Sequence, residues 1–420
     1  MSQAAGHALL GVTLANGRTA DVLVAGEQIA AVAVGAGVAP EGAEGLDCSG
    51  KLLLPAFIDT HVHLDKVLIR DELREHDGTL GGAIGAIHER KRRYGVDDVA
   101  RRARQVIESN VVAGATRVRS HVDVDTIGGL VPLAGVLAAA AACADIAEVQ
   151  TVAFPQEGLL RDRGAAELMD QALRMGADAV GGMPHWETDD AARREHVRLC
   201  FELAERHDRD VDMHVDETDD GAVRTLEMVA DETLARGWHG RVTAGHVCAL
   251  AAADDAYAAR VIDKCARARI TVVSNPVTNL VIQGRGDHGL VRRGTTRIAE
   301  LRAAGVNLCF GQDCVKDGFY PFGRGDMLEV ALISGHAAHL TTRDDLAFLL
   351  RAVTDAPAQA WRLHDYGIRP GARADLVLYR AATWSEALRL QQPPERVWFR
   401  GREVARTSVQ SVLRPDLASP

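Results

Sequence analysis

Residues 55–63 read PAFIDTHVH, an apolar run that closes on two histidines one residue apart. Side chains alternate along an extended chain with a period of two, so His61 and His63 leave the same side of one strand as a chelating pair. Further runs of this make follow: TRVRSHVD (116–123), AEVQTVAFP (147–155), AVGGMPH (179–185), VDMHVDE (211–217), RVTAGHV (241–247), ITVVSNP (270–276) and NLCFGQD (307–313). Each ends in a polar or glycine-containing turn. Longer segments of helical character lie between them, such as residues 99–113, 191–207 and 256–268, rich in Ala, Arg, Glu and Leu. Eight strands in strict alternation with helices predict an α/β chain closed into a (β/α)8 TIM barrel over residues 55–364.

The ends of the chain have a different texture. LLGVTLA, ADVLVAG and IAAVAV between Leu9 and Val34 are short β-type runs separated by Gly, Asn and Asp, and DLVLYR, RVWFRG and REV repeat the pattern from Asp375 to Val404. Residues 1–54 and 365–420 are therefore expected to meet in one small β-sandwich flanking the barrel. With 420 residues, 47% of them hydrophobic and 25% charged, the chain has the material for a large core and no signature of disorder.

A formal net charge of -10 speaks against a nucleic-acid surface, because phosphate binding needs concentrated Lys and Arg. A free small molecule is the better substrate class. No basic, apolar and small-residue leader opens the sequence, and no stretch reaches the roughly 20 apolar residues of a membrane span, so a cytoplasmic location is expected. Seven cysteines (48, 143, 200, 248, 265, 309 and 314) are scattered without CxxC spacing and read as reduced thiols packed in the core.

The unusual polar residues collect at strand ends: His61 and His63, His121 and Asp123, Gln156, His185, His214 and Glu217, His246, Asn275 and Asp313. In a parallel barrel these ends form one open face, where active sites are built. One strand-end histidine alone reads as a satisfied core imidazole. Together, His61, His63, His214 and Asp313 supply three neutral nitrogens and one carboxylate oxygen, a set suited to Zn or Fe(II) with a position left for water.

Those segments resemble the amidohydrolase superfamily, and within it the cytosine deaminases, through THVHLDK, GTLGGAI, HVDVD, VAFPQEG, PHWE, HVDETDD, NPVTNLVIQGR and FYPFGRGDM between residues 51 and 363. Two-metal members of that group carry a bridging lysine at the end of the fourth strand. Here Met183, Pro184 and His185 stand there, which implies a single divalent metal. The HxE and PCxxC signature of the other zinc deaminase fold is missing.

The resemblance implies a metal-activated water that displaces ammonia from a pyrimidine. Asp313 and His246 would hold that water in line with the ring carbon, with His246 an electrostatic group rather than a ligand, and Glu217 would shuttle the proton. Gln156 would pair, as donor and acceptor, with the N3 and O2 edge of the base. Phe154, Leu80 and Phe319 would wall the flat ring, while His121, Asp123 and His185 would orient ligands from behind. Asp65, His88, Arg285 and Asn275 read equally well as structural.

Two positions depart from the cytosine deaminase pattern: Cys314 replaces an Asp and Phe319 a Trp. A small neutral thiol facing C5 would make room for a methyl group, so cytosine or 5-methylcytosine is expected, the methylated base favoured. The packing alternative for Cys314 stays open. The competing functions are deamination of creatinine, isoguanine, a pterin or an aminotriazine, cyclic amide hydrolysis, which the missing lysine disfavours, and a noncatalytic metal-bound scaffold. The resemblance also implies a homo-oligomer.

Overall fold

A computed structural model describes residues 6–35, 44–74, 80–289, 291–292 and 294–413. The chain divides into two compact units, one of Ala56–Gly367 and one of Met1–Pro55 with Ile368–Pro420.

In the larger unit the parallel strands β1 (Phe57–Val62), β2 (Ala115–Asp123), β3 (Glu148–Phe154), β4 (Ala179–Val180), β5 (Asp210–Val215), β6 (Val242–His246), β7 (Thr271–Ser274) and β8 (Asn307–Phe310) pair in sequence order. β1 and β8 meet through a parallel bridge between Val62 and Asp313. There the Asp313 amide donates to the His61 carbonyl at 2.6 Å and the His63 amide to the Asp313 carbonyl at 3.1 Å. The expected (β/α)8 barrel is therefore present.

β4 is shorter than its run suggested. A Cβ on Gly181 would stand 2.5 Å from the Ala153 carbonyl oxygen, and Pro184 brings no amide proton to continue a ladder, so the chain turns away at GGMPH. The run at 270–276 is likewise cut at Asn275, because Pro276 opens the helix Pro276–Ile282. The expected helices begin earlier than their apolar patterns, at Val96–Val112, Asp190–His207 and Asp255–Ala268. Two are started by aspartates: Asp189 accepts from the Ala192 amide at 2.9 Å and Asp254 from the Tyr257 amide at 2.8 Å.

β2 is buried along its whole length despite the sequence ATRVRSHVD. Arg119 reaches inward to Asp212 at 2.9 Å and to Gln150 Oε1 at 2.8 Å, so its charge is paired inside the barrel. Arg102, almost fully buried on the helix Val96–Val112, donates to the carbonyls of Asp65 (2.9 Å) and Val67 (2.8 Å) and pins the loop that leaves β1.

In the smaller unit, strands from both chain ends share one eight-stranded sheet. His7–Leu14 pairs with Thr19–Ala25 and with Leu52–Pro55, and Leu376–Tyr379 joins Leu52–Pro55 from the other side. Leu9, Val22, Ile29, Leu53, Leu376 and Trp398 fill one apolar cluster, which gives the terminal β unit its own core. All seven cysteines are buried and unbonded. Among the described residues no helix is long and apolar enough to cross a membrane.

Gly311, just past β8, sits against the site. A Cβ there would stand 2.6 Å from Asn275 Oδ1 and 2.7 Å from His61 Cβ. Gly311→Ala is expected to lower stability by about 1–3 kcal/mol through overpacking, seen as a lower denaturant midpoint with unchanged slope.

Candidate metal centre and active site

His61, His63, His214, His246 and Asp313 converge where the barrel closes, all of them buried. His63 Nε2 lies 3.1 Å from His214 Nε2 and 3.4 Å from Asp313 Oδ1, and His61 Nε2 lies 3.6 Å from the same oxygen. Donors about 2.1 Å from a shared ion stand about 3.4 Å apart at the tetrahedral angle, so these spacings suit one divalent metal. Neither ring nitrogen of the fully buried His61 has a hydrogen-bond partner, nor has His214 Nδ1. Unsatisfied buried polar atoms cost stability, and a metal would satisfy those that face it.

The electrostatics agree. Burial, reinforced by neighbouring imidazoles, holds His61 and His214 well below the usual histidine range. Burial and the Lys66 ammonium lower His63 to about 4. All three present the neutral form that a metal ligand requires. Burial works against the Asp313 carboxylate, but His63 and His246 beside it keep its pKa below the ordinary value. His63 Nδ1 donates to the His121 carbonyl at 3.0 Å, which turns its Nε2 lone pair toward the centre.

Two further clusters of histidines and carboxylates stand nearby, His61, His121 and Asp212, and His63, Asp65 and Asp123. Each already holds a cation of the chain. Arg119 pairs with Asp212 at 2.9 Å, while Lys66 and Lys91 pair with Asp123 at 2.7 and 2.5 Å. Asp313, by contrast, has imidazoles as its ion-pair neighbours. The arrangement fits a single metal at Asp313.

Glu217 is the next group outward. Its Oε1 accepts from Asn279 Nδ2 at 2.9 Å and lies 3.1 Å from His246 Nδ1. Burial raises its pKa to about 6, with Asp313 adding to the rise and His246 opposing it. The acidic run around it separates into distinct roles. Asp216 is buried and accepts from the amides of Thr225 (2.8 Å) and Leu226 (3.0 Å), whereas Asp219 accepts from the Gly284 amide at 2.9 Å. Asp216, His246 and Asp313 all hold left-handed backbone, with φ of 51°, 69° and 66°. For residues other than glycine this costs energy, and such strain collects at functional sites.

A cavity of about 560 Å³ opens over these groups, lined by His63, His214, Asp313, Glu217, Gln156 and Cys314 among others. Phe319 and His185 also line it, and His185 hydrogen-bonds the backbone of His214. Cys314 is 3% exposed with Sγ 3.7 Å from Asp313 Oδ1, and burial together with Asp313 and Asp317 pushes its thiol far up, so it remains neutral.

Two substrate-contact expectations change, and a third falls outside the described residues. Phe154 does not wall the cavity: it is fully buried and stacks on His214, ring centroids 4.0 Å apart at 18°, so it shapes an imidazole instead. Gln156 has its orientation fixed, because Lys66 Nζ donates to its Oε1 at 2.7 Å and takes up one of the two lone pairs of that oxygen. Leu80 opens the helix Leu80–Lys91, and its side chain lies outside the described residues.

Asp123 holds Lys66 and Lys91, and His121 Nε2 meets Asp212 at 3.0 Å. His88 pairs with Glu157 at 2.7 Å beside the cavity, Arg285 lines it, and Asn275 Nδ2 lies 3.4 Å from His246. Sequence reasoning missed Lys66 and Asn279. The first stands three residues past His63 in HLDK and the second ends NPVTN, but nothing in either spacing marks a side chain that turns inward.

The model of the amidohydrolase family matches residues 94–405. The pterin deaminase of Rhizobium rhizogenes is 33% identical over 92% of this chain and 88% of its own length. The crystal structure of 5-methylcytosine deaminase from Klebsiella pneumoniae, liganded with 5-fluorocytosine, superposes with a TM-score of 0.93 at 35% identity, covering 97% of this chain and 100% of that one. N-isopropylammelide isopropylaminohydrolase from Burkholderia multivorans follows at 0.83 and 29%, over 95% and 98% of the two chains.

His61, His214, His246 and Asp313 bring donor atoms within 4.8 Å of one another, so His246 stands as near the metal position as the expected ligands, and what sets it apart is its Nδ1, held by Glu217 and Asn279. His61→Ala and Asp313→Asn are expected to lose the bound metal and with it the thermal stabilisation that metal adds, whereas His246→Ala, whose Nδ1 is engaged by Glu217 and Asn279, should retain it. Metal content by elemental analysis, with melting curves before and after chelation, checks this.

Proposed function

The chain belongs to the amidohydrolase family, and on that footing we propose that it is a hydrolytic deaminase of free cytosine and 5-methylcytosine, the methylated base favoured. The observation that carries the reading is the meeting, in one cavity, of a buried neutral ligand set with a carboxyl of raised pKa and a small uncharged wall at Cys314.

A divalent metal, Zn or Fe(II), would be held by His61, His63, His214 and Asp313 and would supply a water activated at neutral pH. Glu217 takes that water's proton, passes it to the ring nitrogen next to the reacting carbon, and later carries a proton to the departing amine. A carboxyl near pKa 6 suits both uptake and release. Asn279 holds the Glu217 oxygen at 2.9 Å through this exchange, and His246 places a polar ring beside both. The balance is one water consumed, one C–N bond broken, one carbonyl formed and one ammonia released.

A pterin is the second reading. It is favoured by a cavity of about 560 Å³, more than one pyrimidine ring needs, and by the activity named for the 33% identical relative.

Ammonia release from metal-loaded protein, measured with cytosine, 5-methylcytosine, pterin, creatinine, isoguanine and an aminotriazine, decides between them. Deamination of the pyrimidines carries the proposal, and turnover of pterin alone transfers it to the fused ring. Glu217→Gln is expected to lower the rate at least ~10²-fold with metal content intact. Cys314→Asp is expected to lower the 5-methylcytosine to cytosine ratio of kcat/KM by about 10-fold or more, since a carboxylate beside a methyl group loses solvation.

A further inference from the structure

We infer that Lys66 is a positioning residue that locks the Gln156 amide with its N–H group outward, restricting substrates to rings that carry an oxo rather than an amino group where Gln156 reads them. The inference rests on the heterocycle-deaminase reading and narrows its substrate class.

Lys66 leaves β1 on the loop pinned by Arg102 and is 1% exposed. Its ammonium spends one proton on Asp123 Oδ1 and one on Gln156 Oε1, each at 2.7 Å. An ammonium has three donors and no acceptor, so the amide oxygen must face it.

Asp123 cannot relax to release the lysine, because it is buried and also braced by Lys91, which in turn meets Asp125 at 2.6 Å. The free end of Gln156 is thus Nε2, whose contact in the structure is the weak sulfur acceptor of Met183 at 3.5 Å. Both Lys66 and Gln156 line the cavity, so every polar hydrogen they turn to a ligand is a donor.

With Glu217 serving the ring nitrogen next to the reacting carbon, Gln156 meets the position beyond it. A carbonyl there accepts the outward N–H. An amino group there would set donor against donor and leave both unpaired in a closed site, a mismatch that such sites reject strongly. The chemical class admitted is a cyclic amidine whose amine-bearing carbon is separated from a carbonyl by one ring nitrogen.

The test is binding by calorimetry of matched rings, cytosine against 2,4-diaminopyrimidine and pterin against 2,4-diaminopteridine, to metal-loaded protein in the Glu217→Gln background that stops turnover. The oxo ring is expected to bind ~10²-fold tighter. Adding Lys66→Met frees the amide to rotate and should bring the ratio within about 10-fold of unity. Gln156→Glu leaves Lys66 and its network in place and turns an acceptor outward, so the preference should reverse.

Equal weakening of both rings by Lys66→Met, an oxo preference that survives Gln156→Glu, or failure of either oxo ring to bind would overturn the inference. Failure of the deaminase reading is separately visible as absence of ammonia from the parent enzyme. An oxo preference in binding that responds to both substitutions would then still stand.

Discussion

Everything in the site depends on how the barrel closes. The bridge between Val62 and Asp313 joins the first strand to the residue just past the last, through amides of Asp313 and His63 that donate to the backbones of His61 and Asp313. The hydrogen bonds that shut the sheet therefore come from the residues whose side chains converge as ligands. Asp313 reaches its place in left-handed backbone, and Gly311 before it leaves room for His61. Closure and ligand geometry are one constraint, so a site far apart in sequence can be held with little freedom of its own.

Around that seam the barrel interior is unusually polar, and its charges are matched in pairs. Arg119 with Asp212, and Lys66 and Lys91 with Asp123 and Asp125, offset the cost of desolvation by short contacts. Removing one member of such a buried pair typically costs about 3–5 kcal/mol, which makes these networks stiff supports rather than adjustable ones. Their distribution matters for function. Two of the three histidine and carboxylate clusters are neutralised by the chain, and the third, His61, His214, His246 and Asp313, is left with imidazoles around one carboxylate. Burial, with the field of Lys66, keeps His63 neutral, and burial leaves Glu217 able to gain or lose a proton near pH 6.

The departures from the sequence reading share a cause. Phe154 was expected as an apolar wall for the substrate ring, yet its own ring is fully buried and stacks on His214. Gln156 was expected to offer two functions, and a lysine ninety residues away in sequence fixes its orientation. Within the acidic run at 216–220 Glu217 was singled out, but the roles of its neighbours, Asp216 capping a helix and Asp219 holding the Gly284 amide at the cavity wall, were not, since composition alone does not say which backbone amides are near.

The sequence by itself determined the barrel, through eight strand-like runs alternating with helices, and that its polar strand ends would gather together, because the period of two in HVH and the polar strand ends are local patterns that a barrel maps onto one face. It also marked Glu217, three residues past His214, and the neutral wall at Cys314. Only the tertiary structure decided that Lys66 faces Gln156, that Asn279 holds Glu217, that Phe154 supports an imidazole and that Arg119 fills the interior. Those are contacts between loops and strands remote along the chain, and their partners are chosen by barrel closure and by the need of each buried charge for its opposite.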